Sequence, residues 1–183
     1  MSALSQRIVD EFWELCNAAH ECWLARRGLF EDNADRDHLL NTFCGPFLLH
    51  LGNVTQQHVL HQIAKLHDPA VQSGNINLSI ACVIEFGGWD ASTIAHLTNL
   101  KVKLDSLANA LKPARNKMTA HNDLATILAG MPLGAFPLGA DIEYFKHLQE
   151  LVNIVAEGPR PFATLMRNDA RVFVESLIRG ARG

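Results

Sequence analysis

Apolar residues recur along most of this chain at helical spacing, and no segment alternates with period two for long. The first run sets Leu4, Ile8, Phe12, Leu15, Ala19 and Trp23 on one face, with Arg7, Asp10, Glu11, Glu14 and Glu21 opposite. That is the pattern of an amphipathic helix laid on a core. The polar, acidic stretch 28–37 predicts a loop. A second helix is expected from about Pro46, a residue suited to a first turn, to a stop at His67-Asp68-Pro69. Residues 74–77, Gly-Asn-Ile-Asn, read as a turn, and a short apolar helix should follow as far as Phe86.

Gly87-Gly88 breaks the chain again. Asp90 then serves as an N-cap, with Trp89 and Ile94 placed as a hydrophobic staple. The helix that follows carries Ile94, Leu97, Leu104, Leu107, Ala108 and Leu111 as its apolar stripe. Three glycines and two prolines within 130–140 predict an apolar loop. Asp141 is expected to cap a further helix with Ile142, Phe145, Leu148, Val152 and Val155 inward. A last helix from about Phe162 presents Met166, Ala170, Phe173 and Leu177. Five or six helices without a sheet make an all-α bundle, and no linker divides residues 1–183 into more than one domain.

Composition narrows the class. A chain of 183 residues, 48% hydrophobic and 19% charged, is long enough and apolar enough to bury a core. Cys16, Cys22, Cys44 and Cys82 show no paired spacing, which suits reduced thiols in a cytoplasmic protein. Asp10, Glu11 and Glu14 interrupt the place where a signal peptide needs an apolar core. Residues 38–64 lack Asp, Glu, Lys and Arg, yet hold too many amides and histidines for a membrane span. A buried helix with a wet face is the expectation, and no membrane partner.

Charge is distributed unevenly. The formal net charge is −3, but residues 101–117 hold Lys101, Lys103, Lys112, Arg115 and Lys117 against Asp105 alone. One basic segment in an acidic chain suits a localised anion site. Lys101 and Lys103 read as a solvated helix face. Within the segment, Arg115-Asn116-Lys117-Met118-Thr119-Ala120-His121-Asn122-Asp123 gathers an Arg, a His, amides and a carboxylate next to Pro113. Because Pro113 has no N–H, a helix should begin or kink there, leaving Arg115 in a first turn whose free amides favour an anion. Arg115 and His121 are six residues apart, about 120° around a helix, so a site using both needs another helix or another subunit.

The tract RNKMTAHND, with LHQIAKLHDPA and NLSI upstream, resembles the HEPN domains, and within them the abortive-infection U-type subgroup. The similarity spans roughly residues 55–125. It implies a metal-independent endoribonuclease of the toxin or phage-defence kind, without cofactor, acting on RNA as a homodimer and restrained by an antitoxin protein. By the same resemblance Arg115, Asn116 and His121 are catalytic; Lys112, Lys117 and Asn122, beside them in the sequence, are the candidates to hold substrate. The side chains suit that chemistry. Histidine titrates near neutrality and can move the 2′-hydroxyl proton, while arginine grips phosphoryl oxygens through two parallel hydrogen bonds.

Two other classes fit parts of the sequence. A non-catalytic HEPN domain that binds nucleotide or nucleic acid, or scaffolds assembly, shares every feature above. A bundle metalloenzyme would use His50, His58 and His61, but residues 38–64 supply no carboxylate ligand, and a polar helix face explains these histidines better. In the bland reading of the tract, Arg115 is a helix-end cation paired with Asp123 or Asp105, and Asp123 is a cap or ion-pair partner. Phe12, Trp13 and Trp23 read as core packing. The apolar loop at Met131, Leu133, Phe136 and Leu138 folds over the bundle or meets a partner.

Overall fold

The structure, a computed structural model, describes residues 4–32, 38, 41, 45–119 and 139–181, the side chains of 112–119 and 181 excepted. Among the described residues the chain forms α1 (Gln6–Phe30), α2 (Gly45–Leu66), β1 (Val71–Gln72), β2 (Asn75–Ile76), α3 (Ile80–Glu85), α4 (Ala91–Thr119), α5 (Ala140–Val155) and α6 (Leu165–Ala181). The all-α expectation holds. Its one departure among these residues is an antiparallel pair, Val71 opposite Ile76 and Gln72 opposite Asn75. Ser73 and Gly74 turn it with φ of 51° and 82°, the positive values a two-residue hairpin turn requires.

The chain divides into two compact units, residues 1–16 with 60–161 and residues 17–59 with 162–183. In the first, α4 packs on α5 and α3 on α4. The buried side chains are Val9, Phe12 and Cys16 of α1, Leu60, Ile63 and Leu66 of α2, Ile80, Cys82 and Val83 of α3, Leu97, Leu100, Leu104 and Leu111 of α4, and Tyr144, Phe145, Leu148, Leu151, Val152 and Val155 of α5. The end of α5 is tied to α1 by Arg160, whose guanidinium donates to Asp10 at 2.6 Å and lies 4.9 Å over the Trp13 ring. Hydrogen bonds from Gln6 and Arg160 hold the Asp10 carboxyl below its usual range.

The second unit joins the later part of α1, the earlier part of α2 and α6. Gly28 lets α1 approach α6 closely, since a Cβ there would lie 2.9 Å from the Ala170 Cβ. Leu48, Val174 and Ile178 form a buried cluster with Leu29, Phe30 and Leu177 packed against it. His20 sits between the Trp23 and Phe162 rings, 5.5 and 5.0 Å away, and donates through Nδ1 to the Ala163 carbonyl.

Several local expectations need correction. α1 does not give way to a loop at Gly28 but runs on to Phe30, closed by Arg26 and Arg27 pairing with Glu31, and by Arg27 with Asp32. Its buried seam is Val9, Phe12, Cys16, Ala19, Trp23, one position off the expected Ile8 and Leu15. Asp90 does cap α4, accepting from the Thr93 amide at 2.9 Å, and the Ser92 hydroxyl, with that amide and the Thr93 hydroxyl, holds its carboxyl down to about 2. The staple is absent: Ile94 is exposed, and Trp89 turns back to donate to the Val83 carbonyl at 2.9 Å. Gly87 leaves room for that ring, because a Cβ there would meet Trp89 Nε1 at 1.9 Å. Leu100, unmarked by the pattern, is buried in α4. Gly139, not Asp141, is the N-cap of α5, Asp141 lies in its first turn, and Ile142 is exposed. α6 begins at Leu165, not Phe162, and turns Ala170, Val174 and Ile178 inward, leaving Met166 and Phe173 out.

Candidate functional site

The helix that carries the tract is α4, and it does not begin at Pro113. It runs unbroken from Ala91 to Thr119. Arg115 therefore lies inside a continuous helix and not in a first turn, so the anion-favouring free amides are not there. Pro113 instead sits inside the helix with no N–H to give to the Asn109 carbonyl four residues back.

Above that point α4 presents Lys101 and Asp105, one turn apart. Lys101 pairs with one oxygen of the Asp105 carboxylate. The other accepts from His67 Nδ1 at 2.8 Å, and His67 Nε2 accepts from the Tyr144 hydroxyl at 2.9 Å. This arrangement fixes the tautomer, with the ring proton on Nδ1. α2 ends just before His67, whose amide closes onto the Ala64 carbonyl at 3.0 Å and turns the imidazole inward. A chain of hydrogen bonds thus runs from the fully buried Tyr144 on α5, through the end of α2, to a half-exposed carboxylate on α4.

The electrostatics follow from burial and partners. Burial pushes His67 below its ordinary value, although the Asp105 hydrogen bond and charge oppose it, so the ring is neutral at pH 7. Burial alone would raise Asp105, but hydrogen bonds from Lys101 and His67 outweigh it and hold the carboxyl below its usual range. Tyr144 is pushed well up by burial and stays a phenol. With Lys101 and Asp105 cancelling, the cluster carries no net charge.

Beside this cluster lies a cleft of about 240 Å³, lined on α2 by Leu60, Ile63 and Ala64 and on α4 by Ala108, Asn109 and Leu111. Helical register extends its α4 wall toward the tract. At about 100° per residue, Lys112 falls about 20° from Lys101 around the axis, Arg115 about 40° to one side and Asn116 about 60° to the other. The backbone positions of Lys112, Arg115 and Asn116 thus continue the strip occupied by Lys101, Asp105 and Ala108. In the second unit a larger groove, about 730 Å³, is lined by Arg167 and Arg171, whose charges are matched by Asp32 and Glu175.

Among the residues expected to form the site, Lys112, Arg115, Asn116 and Lys117 belong to α4, but their side chains lie outside the described residues. His121, Asn122 and Asp123 lie outside altogether, as do Cys44 and the apolar residues 131–138. Asp105 is engaged by Lys101 and His67, and Lys101 is half-buried in that pair, not a freely solvated cation. The His67–Tyr144 link went unread, since the sequence marks His67 only as a helix stop. His50, His58 and His61 are exposed, and no group of three or more His, Cys, Asp or Glu among the described residues is placed to hold a metal. No described helix is long and apolar enough to cross a membrane.

Comparison with known proteins places the chain. No curated protein and no solved structure matches it. The sequence model of one family, described as AbiU2, matches residues 5–158, which takes in α1 to α5 and the whole tract. A match over that much of an all-α chain leaves one assignment: the protein belongs to the abortive-infection AbiU2 family of HEPN domains.

Proposed function

We propose that this HEPN protein is a metal-independent endoribonuclease of the toxin or phage-defence kind. The observation that carries the reading is the Arg115-Asn116 … His121 tract, which falls inside the stretch matched by the family. His121 takes the proton of a ribose 2′-hydroxyl, whose oxygen attacks the adjacent phosphorus. Arg115 holds the phosphoryl oxygens as charge builds, and Asn116 orients the phosphate. Lys112, Lys117 and Asn122 hold the strand to either side. The 5′-oxygen leaves with a proton, giving a 2′,3′-cyclic phosphate and a 5′-hydroxyl end. The partners in this reading are RNA, a second copy of the chain and a restraining antitoxin protein.

A non-catalytic domain that binds nucleotide or nucleic acid, or scaffolds assembly, is the second reading, and the net charge of −3, which weakens hold on a polyanion, favours its scaffolding form. One assay separates the two. Pure protein incubated with mixed RNA in excess chelator should release fragments with cyclic phosphate ends, and His121→Ala and Arg115→Ala should stop this without lowering Tm. Strict dependence on Mg²⁺, or 5′-phosphate ends, sinks the proposed mechanism. Loss of folding in both variants would make the two residues structural.

A further inference from the structure

The second unit leaves a wide apolar surface outside its core. Phe47 and Val54 of α2 and Met166 and Phe173 of α6 are between 46% and 63% exposed. On α2, Phe47, Leu51, Val54 and His58 recur at steps of four, three and four, which sets them in one stripe. On α6, Met166, Phe173 and Leu177 do the same at steps of seven and four. The packing joins the two stripes. Around α2, Gly52 meets the Phe30 ring of α1 and Leu48 clusters with Val174 and Ile178 of α6; Leu51 and Phe47 follow in that order, farther from α1. Around α6, Arg167 and Arg171 border the groove shared with α1, and Leu177 lies on the other flank, against the Leu48 cluster. Both stripes thus run beside the α2–α6 contact, on the side away from α1. We propose that this face is a self-association surface, covered by the same face of a second copy of the chain.

Charge is the first argument. Residues 38–64 hold no Asp, Glu, Lys or Arg, so the α2 stripe has none over its whole length. On α6 the charge nearest the stripe by register is Asp169 alone. A solvated helix face ordinarily carries charges. This one gives a nucleic acid, or an acidic or basic protein, little to pair with, and it matches a copy of itself. Area is the second argument. A face two helices wide and ~17 Å long presents on the order of 600 Å² of accessible surface. Two copies then bury about 1,200 Å², the lower end of specific interfaces, which suits a concentration-dependent pair. A two-fold axis sets each patch against itself and closes that pair. Position is the third. The family match ends at residue 158, so α6 lies beyond it, and the face shares no residue with the tract. The inference therefore stands apart from the ribonuclease reading. If copies also pair through the tract, the two contacts together build a tetramer.

Sedimentation of the full-length protein measures the assembly directly. Between ~1 and ~100 µM, the range a contact of this size calls for, the mean mass should double. Phe47→Glu and Phe173→Glu each put a carboxylate into the contact and should raise the dissociation constant at least ~tenfold. Both side chains are exposed in the single chain, so Tm should hardly move. Where circular dichroism shows either variant unfolded, Phe47→Gln or Phe173→Gln takes its place. Ile142→Glu, at an exposed apolar position in the first unit, should leave the association unchanged. The mass of a single chain at every concentration, or a mass that the folded variants leave as it was, overturns the proposal. So does an equal loss in Ile142→Glu, which would trace the effect to added charge and not to this face. Wild-type protein that stays single yet binds phosphatidylcholine vesicles through Phe47 and Phe173 would give the face to a lipid surface instead. RNA cleavage without this association sinks the surface and leaves the ribonuclease reading standing; association in a protein inert toward RNA does the reverse.

Discussion

His67 joins three helices through one imidazole: it closes α2, donates to Asp105 on α4 and accepts from Tyr144 on α5. Its side chain is 12% exposed, so each lost partner leaves a polar atom largely without water. Tyr144→Phe should cost about 1–2 kcal/mol and His67→Gln about 1–3 kcal/mol, with a combined cost below the sum because they share one bond. The pH dependence has a definite sign. The folded ring titrates below its ordinary value near 6.5, so the unfolded chain takes up the proton first as pH falls. The contribution is whole above that value and drains away below it. Thermal melts between pH 7.5 and 5 should show wild type losing more Tm than His67→Gln, and parallel curves would mean that the ring is not held neutral. Asp105 is also lowered, but from the carboxylate range, so its share is lost only as pH falls through that range, below this window. None of this was legible in the sequence. His67 and Tyr144 are 77 residues apart, and periodicity says which face a residue takes, not which side chain it meets.

At the scale of the element, boundaries read well and faces less so. α2 begins and ends within a residue of the expected Pro46 start and His67 stop, because proline and the His67-Asp68-Pro69 break act locally. On α1 the expected Phe12, Ala19 and Trp23 are buried, but Ile8 and Leu15 give way to Val9 and Cys16, because repeated four-residue steps drift about 40° each, whereas the true seam alternates steps of three and four. α6 has apolar residues on two strips, Met166 with Phe173 and Val174 with Ile178, and spacing alone cannot choose between them. Pro113 is the instructive error. Local chemistry argues for a helix start, yet the α4 backbone stays helical through Pro113 despite the missing hydrogen bond. An interior proline costs about 3 kcal/mol relative to alanine. Pro113→Ala should therefore raise Tm by several degrees, measurable by calorimetry. The same substitution returns a donor to the Asn109 carbonyl. An unchanged or lower Tm would mean that α4 does not continue as a regular helix past that point.

For the whole molecule, the tract poses a geometric problem that one α4 does not solve. A helix carried on to His121 would set it about 120° from Arg115, and a two-fold partner is then the simplest source of the missing wall. A second copy also doubles the positive charge of the segment 101–117 at one place. Arg115→Ala and His121→Ala, each inactive alone, should regain about a quarter of wild-type activity when unfolded together and refolded, since about half the dimers then carry one intact pair. No recovery from verified mixed dimers would confine the pair to a single chain. The division into two compact units has a consequence of an optical kind. The chain has three tryptophans, and they are shared between the units: Trp13 under Arg160 and Trp89 folded onto Gly87 in the first, Trp23 beside His20 and Arg27 in the second. Each unit thus has its own intrinsic fluorophore. Emission from Trp23 alone, set against Trp13 and Trp89, reports whether the two halves lose their structure at one temperature or at two.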